Sequence, residues 1–293
     1  MADAPMAARL PADCARVAFD VGAHTGLDTL NFLSRGFCVV SVDANPAMVD
    51  TINRTLLARG LSRNVTLLNL GLEEKGKAGG RIPFYVTNTL VHSSFDIHKA
   101  KRMTAGAPGA ITTLRVPTVA CDELWSFVPA GVRPYWLKVD IEERHYVCVE
   151  ALQRLPPEAL PSYVSWEMHE FANYAVPPPT LDVKLIAGMR ELGYKEIKLV
   201  SNLLTTSNGG TFSGGHLPEE VRDFSGELLE RNSTRAWRGG WRRVEELFRT
   251  GLPDARRYNR HVHSGGDFWD FYMRLCHPYP ACRHQRRSKG GRG

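Results

Sequence analysis

Short apolar runs alternate with longer stretches in which apolar residues recur every three or four positions. The first kind predicts strands and the second amphipathic helices. "RVAFDV", Arg16 to Val21, reads as a strand. "GLDTLNFLSRG" reads as a helix with Leu27, Leu30, Leu33 and Phe37 toward the core and Gly36 at its end. "FCVVSVD" is nearly all apolar, as in a strand covered on both faces. "NPAMVDTINRTLLARG" opens with Asn45 as N-cap and Pro46 in the first turn, and Gly60 closes it. "NVTLLNLGL" reads as the third strand. Through Leu72 the order is strand, helix, strand, helix, strand, which is half of a doubly wound parallel sheet.

The rhythm then changes. "RIPFYVTNT" and "ITTLRVPTVAC" read as strands around the polar segment "HSSFDIHKAKRMTAGAPG", an inserted hairpin or lid. "PYWLKVDIEE" returns to a buried strand, followed by the helix "RHYVCVEALQRL" and the strand "PSYVSWEMHE". "DVKLIAGMRELGY" is a helix ending at Gly193, and "KEIKLVSN" a strand. After Asn202 the pattern weakens into "LLTTSNGGTFSGGHLP". "EEVRDFSGELLERN" and "GWRRVEELFRTG" read as surface helices, and "GGDFWDFYMRLC" as an aromatic one. The class expected is α/β, with a doubly wound Rossmann-like sheet, an inserted hairpin or lid and a C-terminal extension.

Composition leaves that picture intact. The 293 residues are 43% hydrophobic and 23% charged, ordinary for a globular enzyme. The net charge of +6 gathers in "RAWRGGWRR" and the tail "RHQRRSKGGRG", which read as solvated segments rather than nucleic-acid arms. No apolar stretch is long enough to span a membrane, and the N-terminus has no charged start with a sustained apolar core. A soluble, cytoplasmic protein is expected. Of six cysteines, four are scattered singly, and Cys38 and Cys148 sit in apolar contexts typical of buried free thiols. Cys276 and Cys282, flanked by His277 and His284, match no standard zinc spacing. No metal is expected in the site.

The chemistry concentrates at the joint after the first strand. A glycine-bearing strand-to-helix turn lets backbone approach a ligand, and the helix start offers free N–H groups. The spacing here is Asp20, Gly22, Gly26, which is not the dinucleotide fingerprint. An acid at the strand end repels a pyrophosphate and suits an amine. Asp43 ends the second strand, the placement that holds a ribose diol. A ribose, an amine and no phosphate together fit S-adenosylmethionine. Asp140 ends the fourth strand of the set with Glu142 beyond it, and "SWEMHE" adds Glu167 and His169 to the same rim. Carboxylates and a histidine so clustered shift one another's protonation, and one of them can serve as general base. Lys138 is expected as a snorkelling or ion-paired residue, and His145 as a helix-surface residue.

These motifs, in order, resemble the FkbM family of S-adenosylmethionine-dependent methyltransferases. "FDVGAHTGLDTL" resembles the family's D-V-G-A-N-x-G-x-x-T opening, "VVSVDANP" its second strand, and "LKVDIEE" its K-I-D-x-E-G. "LNLGLEEKGKAGGRIPFYV", "HSSFD", "VPTVACDELW", "YVSWEMHE" and "MRELGYKEIKLV" are similar to the elements between and after them. The likeness runs from about Val17 to Val200. It departs at Glu143, where the family usually has Gly, and at His24, where it commonly has Asn. The resemblance implies a methyltransferase domain over residues 1–202. Residues 203–293 would be an extension packing on it, with a basic tail at 283–293. It implies O-methylation of a hydroxyl on a sugar or other small natural product. Asp20, Gly22, Ala23, His24 and Gly26 would frame the methionine part and Asp43 the ribose. Asp140 would sit nearest the sulfonium and acceptor, and Glu142 or His169 would orient or deprotonate the hydroxyl. His92 to Asp96 would cap the site. The expected partner is a small-molecule or glycan hydroxyl acceptor, with no nucleic acid and no membrane span, and the oligomeric state is left open. A non-catalytic binding or scaffold protein on the same fold is the alternative that the altered "DIEERH" turn favours. A nicotinamide dehydrogenase is disfavoured by the missing third glycine and by Asp20. A nucleic-acid methyltransferase lacks an N-P-P-Y-like motif and stacking aromatics.

Overall fold

Five consecutive buried residues make β1 (Val17–Val21), as in a strand covered on both faces. A computed structural model of the chain describes residues 9–88, 93–141, 144–167, 181–201, 242–243 and 269–275. The chain divides into two compact units, the first reaching Leu160 and the second beginning at Pro161.

In the first unit, α1 (Leu27–Ser34) leads from β1 to β2 (Cys38–Asp43), and α2 (Pro46–Ala58) leads on to β3 (Val65–Asn69). Asn45 caps α2, its side-chain oxygen accepting the Ala47 N–H at 3.1 Å, with Pro46 behind it. The buried face of α1 is Asp28, Thr29, Phe32 and Leu33, not the Leu27 and Leu30 stripe that periodicity picks out. The face is turned because Asp28 and Thr29 meet charged and polar partners on the sheet, described below.

The apolar run after α2 is two strands rather than one. Leu70 donates its N–H to the Asp43 carbonyl at 3.2 Å, and the chain then leaves this sheet. Residues Gly71–Glu73 form β4 in a second sheet, where β6 (Ile111–Ala120) lies between β4 and β5 (Arg81–Thr87). β4 runs parallel to β6, and β5 antiparallel to it. This sheet, with α3 (Ile97–Met103) between its two longer strands, is the inserted hairpin. Residues 89–92 lie outside the described set.

The chain returns in β7 (Pro134–Val139), which pairs parallel with β1 on the edge away from β2, and continues into α4 (His145–Ala151). The parallel order β3-β2-β1-β7 reverses direction of winding between β1 and β7. Ligands in open α/β sheets bind outside the carboxyl ends of strands at such a reversal. His145 is buried, 1% exposed, not a surface residue, because α4 lays its first turn inward.

The second unit contains β8 (Tyr163–Glu167), α5 (Leu181–Glu191), β9 (Tyr194–Ser201), β10 (Arg242–Arg243) and β11 (Trp269–Leu275). β11 pairs antiparallel with both β8 and β9, and β10 with β9. The segment expected as an aromatic helix is therefore a strand. Its Phe, Met and Leu alternate with polar positions at period two, and Met273 and Leu275 are buried. Arg242 and Arg243, expected within a surface helix, are likewise strand. The remaining C-terminal readings, including the other predicted surface helix and the Cys276/Cys282 pair, lie outside the described residues.

The free-thiol reading is overturned. Cys14 bonds Cys38, and Cys121 bonds Cys148. All four are buried, and Cys38 and Cys148, each read alone in its apolar context, match an ordinary core thiol. No helix among the described residues is long and apolar enough to cross a membrane.

Candidate active site

Three strand ends of the first unit meet at the reversal: β1 with its glycine loop, β2 with Asp43, and β7 with Asp140. The loop is stitched to its neighbours through backbone. Gly22 and Ala23 both donate to the Val42 carbonyl, at 2.9 and 3.0 Å, and Asp140 donates to Val21 at 2.8 Å. Gly22 holds φ of +84°, and a Cβ there would stand 1.8 Å from the Asp140 carbonyl oxygen. Only glycine lets the loop lie this close to the end of β7. Gly26 (φ +81°) opens α1, and a Cβ on it would stand 2.8 Å from Ile52 Cγ1. His24 takes φ of +49°, a left-handed conformation that Asn and His tolerate better than most residues. Its place in a slot the FkbM pattern gives to Asn has that physical basis.

Asp43 is fixed by two backbone donors. Oδ2 accepts the His24 N–H at 2.7 Å and Oδ1 accepts the Asn45 N–H at 2.7 Å. Each carboxylate oxygen accepts more than one hydrogen bond, so the group retains capacity for a diol. Burial pushes its carboxyl up to about 6 against the two N–H groups, which pull it down.

Behind the loop lies a buried charge cluster. Lys138 on β7 sits 3.0 Å from Asp28 Oδ2, 3.3 Å from Asp140 Oδ2 and 3.5 Å from Asp20 Oδ1. The Thr29 hydroxyl donates to Asp20 Oδ2 at 2.6 Å and lies 2.9 Å from the Ser41 hydroxyl. Burial opposes the Lys138 ammonium, yet Asp28, Asp140 and Asp20 together hold it well above its usual value. Burial also pushes Asp28 up to about 7, Lys138 opposing the rise and Asp20 adding to it. Burial lowers His24, and the nearby Asp140 only partly offsets this, so its imidazole is neutral at pH 7.

The expected site residues thus separate by depth. Asp20 is 0% exposed and its oxygens answer Thr29 and Lys138, so in this arrangement it meets a ligand as charge beneath the loop, not as a surface acceptor for an amine. Asp140 keeps 30% side-chain exposure and is the open carboxylate of the cluster. Gly22, Ala23, His24 and Gly26 form the loop as expected. Glu142 and His169 lie outside the described residues. Periodicity missed Asp28, Thr29 and Ser41. The available signal was an acid in the first turn of α1 opposite a lysine on an otherwise apolar strand, a buried charge that needs a partner.

On the hairpin side, Phe95 of the expected cap packs over Gly71, where a Cβ would stand 2.5 Å from its ring. The Ser93 hydroxyl accepts the Thr87 N–H and the Ser94 hydroxyl accepts the Asp96 N–H. Arg144, just beyond Asp140, ion-pairs with Glu73 and places its guanidinium 5.2 Å from the Phe95 ring centre. Arg144 is therefore tied into the hairpin sheet, while Glu143, where the chain departs from the FkbM pattern, lies outside the described residues.

A family model for the FkbM methyltransferase domain matches residues 20–196. The chain belongs to the FkbM methyltransferase family. The matched span holds the whole glycine loop, Asp43, Lys138 and Asp140. The cofactor of this family is S-adenosylmethionine. No curated protein matches the chain. Among solved structures, it is similar to phosphoethanolamine N-methyltransferase 2 of Haemonchus contortus, in complex with phosphomonomethylethanolamine and S-adenosylhomocysteine. That likeness has 12% identity and a TM-score of 0.37, covering 92% of this chain and 49% of that one. An rRNA methylase from Streptococcus thermophilus gives 9% identity, 90% and 89% coverage and a TM-score of 0.37. A precorrin 8w decarboxylase from Methanobacterium thermoautotrophicum gives 13%, 92% and 84%, and 0.36. The chain spans about half the length of the first of these. Likenesses at this level say nothing of substrate.

The loop fits the family's cofactor on its own geometry. His24 Nε2 is buried with no hydrogen-bond partner among the described residues, and a buried nitrogen of that kind is satisfied when a ligand supplies the missing group. Gly22 lets the loop pack directly against the Asp140 backbone, which holds the Asp140 carboxylate beside the loop.

Proposed function

We propose that this FkbM methyltransferase O-methylates a hydroxyl of a sugar or other small natural product. The observation that carries the reading is Asp43. It is a half-buried carboxylate held by two backbone N–H groups at the end of β2, beside a glycine loop that leaves a nitrogen unsatisfied. When bound, the cofactor supplies a methyl group on a cationic sulfur. Asp43 accepts the ribose hydroxyls. Gly22 to Gly26 frame the methionine part through backbone and His24 Nε2. Asp140, backed by the fully buried Asp20, supplies negative charge where the cation lies. The rate gain asked of the protein is alignment of hydroxyl and methyl, with Glu142 or His169 orienting the hydroxyl or accepting its proton. The lid rich in Ser and Thr around Ser93 to Asp96 suits a polyhydroxylated acceptor. Residues 1–202 form the methyltransferase domain in this reading and residues 203–293 its extension.

The test has two stages. S-adenosylmethionine should raise the melting temperature, and Asp43→Ala should abolish the rise. No shift at millimolar cofactor defeats the reading. Hydroxylated glycans and small natural products are then screened for release of S-adenosylhomocysteine. Binding without turnover on any acceptor would support a scaffold protein instead.

A further inference from the structure

Asp28 falls at a position the glycine-loop motif leaves unspecified, yet it is the nearest of the three carboxylates to Lys138. It projects from α1, whereas Lys138 and Asp140 belong to β7 and its end, and Asp20 to β1. One ammonium is thus divided among three acids, and only Asp140 reaches solvent to any extent. We propose that Asp28 is a positioning residue that draws Lys138 away from Asp140 and so leaves Asp140 with negative charge for a cationic ligand. This rests on the cofactor reading above. Its consequence is selectivity. S-adenosylmethionine carries a sulfonium and S-adenosylhomocysteine does not, while amine, carboxylate and ribose are common to both. Without Asp28, Lys138 is shared between Asp20 and Asp140 alone, and the charge offered to the sulfonium falls.

The probes are S-adenosylmethionine and S-adenosylhomocysteine, titrated into the full chain by calorimetry at pH 8, where Asp28 is ionised. Asp28→Asn should lower the preference for the cationic ligand by about ten-fold, the scale of one charge lost several ångströms away at intermediate dielectric. Asp28→Glu should restore it. A merely structural loosening weakens both ligands alike and leaves their ratio unmoved, which would overturn the proposal. If Asp28→Asn does not fold, the wild-type ratio is compared at pH 8 and pH 6. The groups facing Asp28 are Lys138, Asp20 and Asp140, with the neutral His24 nearby. Asp43 meets the ribose of both ligands and cancels. The preference should fall toward pH 6, and a constant ratio overturns the proposal. A wild type that binds neither ligand defeats the cofactor reading instead.

A second, independent observation concerns the cysteines. Both disulfides lie in the first unit. One ties the segment before β1 to the start of β2, and the other ties the turn after β6 to α4, the helix that follows Asp140. Their pairs are 24 and 27 residues apart, all four sulfurs belong to buried residues, and among the described residues no cysteine is free. Paired buried cysteines of this kind persist in oxidising compartments and are rare in the cytosol. We infer that the protein works in an oxidising compartment, in place of the cytoplasmic location expected from sequence, and that the acceptor hydroxyls to screen are those of glycans displayed there. The full chain is produced in parallel in an oxidising secretory host and in a reducing cytosol. Thiols are alkylated under denaturing conditions before and after reduction and located by mass spectrometry. Cys14, Cys38, Cys121 and Cys148 of the secreted protein should label only after reduction. The reduced protein should melt ~10 °C or more lower, as expected from opening two loops of this size. Labelling of all four without reduction, or equal melting temperatures for the two preparations, overturns the inference.

Discussion

Asp43→Asn separates a residue kept for binding from one kept for folding. The charged form of Asp43 is disfavoured by its surroundings. Its carboxyl is pushed from an ordinary value of 3.8 to about 6, chiefly by burial. That displacement corresponds to about 3 kcal/mol against the ionised form at neutral pH. Asparagine removes the charge and with it that penalty. It also replaces one carboxylate oxygen by an NH₂ group, so one of the two N–H donors, from His24 or Asn45, loses its acceptor. An unsatisfied buried donor costs about 1–3 kcal/mol. The two effects nearly cancel, and the variant should unfold within about 1 kcal/mol of wild type at pH 8.

Binding has no such cancellation. Two ribose hydroxyls lose charged acceptors, each worth about 1.5–3 kcal/mol, so cofactor affinity should fall ~100-fold or more. The pH dependence gives a second reading. A carboxyl whose folded value is raised binds its proton more tightly folded than unfolded. On its account wild-type stability rises as pH falls from above 6 to below 4, and this component should vanish in the variant. Urea unfolding between pH 4 and 8 and calorimetric titration of S-adenosylmethionine measure all three quantities. A variant that loses about 3 kcal/mol of stability while binding cofactor normally would refute the assignment and make Asp43 a loop anchor only.

Gly22→Ala should cost at least ~3 kcal/mol or prevent folding, because its Cβ meets the Asp140 carbonyl at 1.8 Å and φ is +84°; a thermal melt within two or three degrees of wild type would contradict this. Lys138→Met leaves Asp20, Asp28 and Asp140 without their cation and should destabilise by about 3–5 kcal/mol at pH 8. The deficit should shrink toward pH 5 as Asp28, raised to about 7 by burial, takes up its proton, so equal losses in urea melts at both pH values count against the cluster. Met273→Lys puts a charge at a fully buried position of β11 and should cost about 3 kcal/mol or more in the same assay, whereas a helix with Met273 at its surface would tolerate it.

The first three strands and two helices were legible because their signals are local. Asn45 and Pro46 start α2 by capping chemistry that needs no tertiary partner, and Gly36 and Gly60 take the positive φ that helix ends require. The β3–β4 break was not legible. The Leu70 N–H to the Asp43 carbonyl is the last bond to β2, and the chain then leaves the sheet because β6, over forty residues on, offers β4 another partner. β11 failed for the same reason. A seven-residue aromatic run satisfies either period, and the two strands that flank it, β8 and β9, lie far upstream. The cysteines failed because pairing is a property of two positions, and each of the four reads alone as a small buried hydrophobe.

The site divides along the same line. Asp20, Asp43 and Asp140 could be picked out singly, since an acid at the end of an apolar strand is visible in the string. What could not be seen was rank among them. The string makes Asp20 and Asp140 equivalent, yet Thr29 and Lys138 take one out of reach and Lys138 only steadies the other. Rank follows from where a single cation sits, and that cation is placed by Asp28, whose position the loop motif leaves unspecified. A loop that must hold a cationic ligand close to buried acids needs a counter-charge strong enough to let the protein fold and weak enough to leave one acid unneutralised. Dividing one lysine among three carboxylates meets both demands. Substitutions that improve the balance of this cluster should therefore stabilise the fold and weaken the site.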